Sequence, residues 1–292
     1  MKVILNENQF NRVILKEYHH AYGNGLEQDA ENIAQIAIGI YQDYIKNPYN
    51  NETFGQRKNY GQRRYHIQSL DIDLDVKLVG GNISGCDRWG EYIAVSYGGV
   101  EDAIKNNNMQ RLVSVVYHEL GHLTNGAKSD YASSEADKDF KTPLFLSMND
   151  NDYEQIQTIL YRFYSRELKA RCFETTMFLK KNTNPNITIQ DVYSDRCSDI
   201  TMMRGFIKML QIGAEQGPES QYGDILDSLS KYTWEENARC NRYNRYDKNR
   251  KVVDKIKWKY KCRNTINYFM QKYRWLKKRI DKIFYDYKSG NL

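Results

Sequence analysis

Val116-Tyr117-His118-Glu119-Leu120-Gly121-His122 sets two histidines four residues apart, with a glutamate directly after the first. Residues four apart on an α-helix share a face, so His118 and His122 can present their rings to one metal ion. The preceding residues agree with a helix: Met109, Leu112, Val113, Val116, Leu120 and Leu123 recur at the spacing of an apolar stripe turned toward a core. Such a stripe also shields the two rings from water. His-Glu-x-x-His in this setting is the core of a zinc hydrolase site. Glu119 is placed to take a proton from a water whose pKa the metal has lowered to about 7, and to hand it on to a leaving amine. Two plainer readings stand beside this one: a helix whose histidines are merely buried and hydrogen-bonded, and a fold of this kind that has lost its chemistry.

A catalytic zinc takes three protein ligands and keeps a fourth position open. The His-x-x-Gly-x-x-His continuation of metzincins is absent, because Asn125 and Lys128 stand where its glycine and last histidine would fall. His19, His20 and His66 all lie upstream, so a carboxylate is the expected third ligand. Glu167 is the first choice. It lies in Tyr161–Glu174, which reads as one continuous helix, with Ala170 small enough to let another helix approach. Glu174, seven residues on and on the same face, is the rival. Glu135 and Glu154 have no helical register around them, and an exposed Glu167 paired with Arg171 is the plain alternative.

On these two segments the sequence resembles the gluzincin branch of zincin-like metallopeptidases, where a second helix supplies a metal-binding glutamate in a Glu-x-x-Ala-(Asp/Asn) context. Glu167-Leu168-Lys169-Ala170 matches that context, and Arg171 stands where the family carries Asp or Asn to orient the first histidine. The pairing with Phe173-Glu174 is more loosely similar to small zincin-type proteins of tailed phages and mobile elements, over residues 69–180. The resemblance implies a small sheet over the motif helix and an enzyme that hydrolyses polypeptide. His118, His122 and Glu167 would hold Zn2+, Glu119 would act as general base and then acid, and Tyr131, Tyr161 or Tyr164 would be available to stabilise the transition state. It also implies a second role, a phage virion structural or packaged protein that keeps the fold with or without activity.

Upstream, Leu70–Leu78 alternates apolar and charged residues as a half-buried strand does, and Glu91–Tyr97 reads as a second strand ended by Gly98-Gly99. By the resemblance, 91–97 is the expected substrate-facing edge, with an ordinary core strand as the alternative. The expected class is α+β and mostly helical: a zincin-like domain over 1–212 and a basic, Tyr-rich helical extension over 213–292, divided near Gly213, Gly217 and Pro218.

Charge is unevenly spread. Residues 239–292 hold 18 Lys+Arg against 4 Asp+Glu, a net of +14, so the rest of the chain carries −8 of the total +6. Ile266, Phe269, Tyr273, Leu276, Ile280, Ile283 and Tyr287 fall at helical spacing, with Lys272, Lys277, Arg279 and Lys282 on other faces. Three readings compete for this tail. One is a packed helix with a solvated basic face. Another is a nucleic-acid contact using Tyr243, Tyr246, Trp258, Tyr260 and Trp275, and the third is docking on an acidic protein partner or within a phage assembly. Five scattered cysteines without a Cys-x-x-Cys pair point to free thiols in a reduced compartment. Lys2 before the short run Val3-Ile4-Leu5 is no signal peptide, and no run approaches a membrane span, so a cytoplasmic location (host cytoplasm or virion) without membrane contact is expected.

Overall fold

A computed structural model of the chain describes residues 25–48, 53–54, 57–81, 85–87, 92–124, 156, 159–196, 198–238 and 250–292. His19, His20, Tyr131, Glu135, Glu154, Tyr243 and Tyr246 lie outside the described residues. The fold is mostly helical, of the α+β class, and divides into two units, Met1–Thr124 and Asn125–Leu292.

In the first unit, helix α1 (Leu26–Lys46) buries Leu26, Ala30, Ile33, Ala34, Ala37, Ile40 and Tyr41, a stripe at helical period. It packs on strands β2 (Arg57–Ile67) and β3 (Ile72–Val79). The sheet also includes β1 (Thr53–Phe54), β4 (Gly85–Asp87) and β5 (Tyr92–Ser96), in the order β1-β2-β3-β5-β4. β2 and β3 are antiparallel, β3 and β5 parallel, and β5 and β4 antiparallel. The alternation expected over 70–78 holds from Leu74 on, with Leu74, Val76 and Leu78 buried, while Leu70 and Asp71 lie in the turn before β3 and Ile72 is exposed. Asp73 and Asp75 stay on the polar face, opposite His66 (3.0 Å) and Arg64 (3.4 Å) across the hairpin.

One buried carboxylate ties α1 to this hairpin. Asp29 accepts hydrogen bonds from Tyr65 Oη (2.7 Å), Ser69 N (3.1 Å) and Ser69 Oγ (2.5 Å). Burial by itself would raise its pKa, but the hydrogen bonds outweigh burial and hold the carboxyl below its ordinary value.

Strand β5 corrects the expectation for 91–97. It lies between β3 and β4, and Ile93, Ala94, Val95 and Ser96 are buried, so it is an inner strand. Its unbroken apolar run is what a strand covered on both faces requires. Among the described residues the outer strand on this side is the three-residue β4. Gly98 and Gly99 also do more than end a strand. They belong to the first turn of helix α2 (Tyr97–Lys105), where Ser96 Oγ accepts from Gly99 N at 3.1 Å as the N-cap.

The second unit is a helical assembly of α4 (Ser165–Lys181), α5 (Ser198–Gln216), α6 (Gln221–Ala238) and α7 (Arg250–Lys288). A short turn at Ile189–Asp191 and a π-helical segment at Val192–Arg196 lead into α5. Three rings form its centre: Phe269 lies 4.8 Å from Phe163 and 5.3 Å from Phe206, both edge-on. The tail therefore supplies core rather than only surface, with Cys262, Thr265, Phe269, Leu276 and Ile280 of α7 buried against α4, α5 and α6. Burial pushes the Cys262 thiol up to about 11, so it stays protonated and unreactive. Tyr287 Oη and Lys288 Nζ bond the loop that follows α4, at Asn182 and at the Pro185 carbonyl (2.7 Å).

In the stretch 213–220, Gly213 lies in the last turn of α5, and residues 217–220 make the tight turn between α5 and α6. Gly217 adopts φ +93°, and a Cβ on Gly213 would stand 2.5 Å from the Tyr222 carbonyl oxygen. The glycines let two helix backbones touch. Gly213→Ala is therefore expected to lose about 1–3 kcal/mol of stability by overpacking. Gly205→Ala, at an exposed position of the same helix where a Cβ meets nothing within 4 Å, should gain up to about 1 kcal/mol. Denaturant unfolding of both variants checks the opposite signs. Among the described residues, no helix is long and apolar enough to cross a membrane.

Candidate metal centre

Helix α3 (Met109–Thr124) carries the His-Glu-x-x-His motif. It starts sharply: Asn107 sits at φ 49°, and Asn108 Oδ1 accepts from Arg111 N at 3.2 Å. Leu112, Val116, Leu120 and Leu123 are buried, and the helix packs against α1, α2 and the outer strand β4. Burial on these sides sets the rotation of α3 and hence the direction of the motif residues. His118 and Glu119 are themselves buried, at 8% and 6% exposure, and His122 is half-buried.

The two rings face each other through Nε2, with 3.2 Å between His118 Nε2 and His122 Nε2. The ring centroids are 4.8 Å apart and the planes are nearly perpendicular, at 88°. A collinear N–H···N bond of that length, with a ring radius of about 1.15 Å at each end, would put the centroids about 5.5 Å apart. The shorter observed separation means that the two ring axes do not lie along the line joining the nitrogens. Two nitrogens at 2.0–2.1 Å from one tetrahedral zinc lie about 3.3–3.4 Å apart, close to the spacing seen. The pair thus has the spacing of two imidazoles on one metal ion, which is also within the range of a hydrogen bond between them.

Glu167 belongs to the second unit. The segment 161–174, read as one helix, breaks: Arg162 and Phe163 form a turn, and Tyr164 takes extended φ, ψ (−66°, 134°) as N-cap of α4. The break arises because Phe163 is drawn into the three-phenylalanine core. Glu167 consequently sits in the first turn of α4, where the helix dipole favours the ionised carboxylate that a metal needs. It is 2% exposed.

Glu174, the rival, is occupied in a different way. Arg171 Nη1 lies 2.6 Å from Glu174 Oε2, and Arg171 Nε lies 2.5 Å from Asp199 Oδ2. Arg162 also pairs with Asp199. Two arginines and two buried carboxylates form a charge-balanced group, so Arg171, standing where the resembled family has Asp or Asn, serves this ion network. Asp199 was missed from sequence. Its only local signal is one acidic residue beside the buried Ile200 and Met203 at the start of α5.

Tyr161 and Tyr164 lie at the break with their rings 5.6 Å apart, the first 40% and the second 5% exposed. Tyr117, next to the motif, is buried. Burial, reinforced by the charges of Glu27 and Glu31, pushes its hydroxyl well above the ordinary phenol range, so it stays a neutral donor. His66 is on the polar face of the sheet beside Asp71 and Asp73. Compared with models of protein families, with curated proteins and with solved structures, the chain matches none.

Proposed function

We propose that this protein is a zinc-dependent peptidase of zincin-like type, with a basic helical C-terminal extension. The closeness of the His118 and His122 Nε2 atoms, 3.2 Å apart on a helix that also buries Glu119, carries the reading. Glu167, in the Glu-x-x-Ala context of the resembled family, would supply the third ligand beside His118 and His122. Two imidazoles and a carboxylate are the ligand set of catalytic zinc in thermolysin-type enzymes. The engagement of Glu174 by Arg171 favours Glu167 over its rival.

A zinc ion held by His118, His122 and Glu167 would supply Lewis acidity for a carbonyl and a water nucleophile near neutral pH. The chain's own groups do the rest. Glu119 takes the proton of the attacking water on its carboxylate and later returns it to the leaving nitrogen, so one residue is base and then acid. An extended polypeptide has an acceptor for its backbone in β4, the outer strand beside α3, in place of the 91–97 segment.

The reading is tested by following hydrolysis of an unfolded, fluorescently labelled polypeptide. Activity should fall by more than about tenfold on dialysis against a chelator and return with added zinc. Hydrolysis indifferent to the chelator, or none by protein carrying one zinc per chain, would contradict it. In the second case, co-purification with a capsid or tail would support the virion role.

A further inference from the structure

We infer that the outer face of α7 binds single-stranded nucleic acid through its phosphates. This inference is independent of the metal-centre reading. Residues 255–280 contain ten Lys/Arg and no Asp or Glu. The core stripe of α7 fixes which of them face outward. With Cys262, Phe269, Leu276 and Ile280 turned into the unit, the opposite side presents Tyr260, Arg263, Asn267, Gln271, Arg274 and Lys278, all exposed. Their spacing of three or four residues keeps them in one line along the helix. Lys282 and Tyr285 extend the same line. At 1.5 Å per residue the row from Tyr260 to Tyr285 is about 38 Å long.

Three observations favour a polynucleotide over an acidic protein. Arg263, Arg274 and Lys278 form no ion pair among the described residues, whereas Lys261, Lys277 and Lys282 are each matched to an aspartate. Arg274 and Lys278 stand one helical turn apart, about 6 Å, a pitch comparable with one phosphate-to-phosphate step of a single strand. The third observation concerns the ends of the row. Tyr260 and Tyr285 stand 53% and 71% exposed, and an exposed tyrosine can offer its ring to an unpaired base. Asn267 and Gln271 between the cations add donors and acceptors without opposing charge.

The full chain, titrated with a fluorescein-labelled 20-nucleotide oligothymidylate, provides the test. Binding is expected to weaken with salt. In the triple variant Arg263→Gln/Arg274→Gln/Lys278→Gln, the slope of log affinity against log salt should fall in magnitude by about 2, and affinity should drop roughly 100-fold at 0.1 M salt. Tyr260→Ala/Tyr285→Ala should weaken binding roughly tenfold or more with the salt slope unchanged. Arg204→Gln/Lys208→Gln/Lys180→Gln removes the same charge from other exposed positions of the unit, and should leave affinity within about threefold if the contacts are local. Circular dichroism of all three variants should match the wild type, since every substituted side chain is exposed. Equal loss in the control variant, no oligonucleotide binding at 50 mM salt, or tighter binding to polyglutamate or to phosphatidylserine vesicles than to the oligonucleotide would each overturn the inference.

Discussion

Replacing Glu119 with glutamine is expected to lower the rate of peptide hydrolysis by about 10²–10⁴-fold while leaving zinc content unchanged. The amide has the shape of the carboxylate but cannot accept the proton of the attacking water. Glu119 is 6% exposed on α3, within a helix held by Leu112, Val116 and Leu120, so an isosteric change has little reason to disturb the fold. The contrast with His118→Ala is informative, because that variant should lose metal and activity together. A Glu119→Gln protein retaining more than about a tenth of wild-type activity would remove Glu119 from the chemistry, whatever the metal content. The comparison is best made as kcat/KM with the same labelled polypeptide.

The other large effect is expected at Phe269. Its ring is 1% exposed and meets Phe163 and Phe206 edge-on. Phe269→Ala should cost about 3–5 kcal/mol, from lost burial and from the cavity left beside the Phe163 and Phe206 rings. For a unit of this size, that is a fall in Tm of roughly 6–20 °C by calorimetry. A fall below about 3 °C would mean that α7 contributes surface rather than core. Phe163 connects this core to the metal-centre residues by sequence, since its inward turn breaks the helix just before Glu167.

The motif helix was legible because its stripe, its two histidines and its glutamate are all local: Leu112, Val116 and Leu120 mark the buried side, and His118 and His122 follow at one turn. Strand β3 was legible for the same reason, through Leu74, Val76 and Leu78 alternating with charge. Helix α1 passed unread although its stripe is regular, because three of its seven buried apolar positions are alanine, which carries little hydropathic contrast. Strand β2 is nearly all polar and is made a strand by its partner, so Arg64 and His66 make sense only opposite Asp75 and Asp73. The break at Tyr164 and the ion network at Asp199 depend on contacts between residues distant in sequence: Phe163 with Phe206 and Phe269, and Arg162 and Arg171 with Asp199. No periodicity encodes such contacts. The glycines at 213 and 217 were ambiguous in a different way, since a linker and a close helix crossing use the same residue for the same freedom of backbone.

Metal content, measured by mass spectrometry on protein purified without chelator, bears most directly on the central claim. About one zinc per wild-type chain is expected, with loss of the metal in His118→Ala, His122→Ala and Glu167→Ala and retention in Glu174→Gln. Wild-type protein without zinc, or zinc retained in His118→Ala, would contradict the metal centre described here.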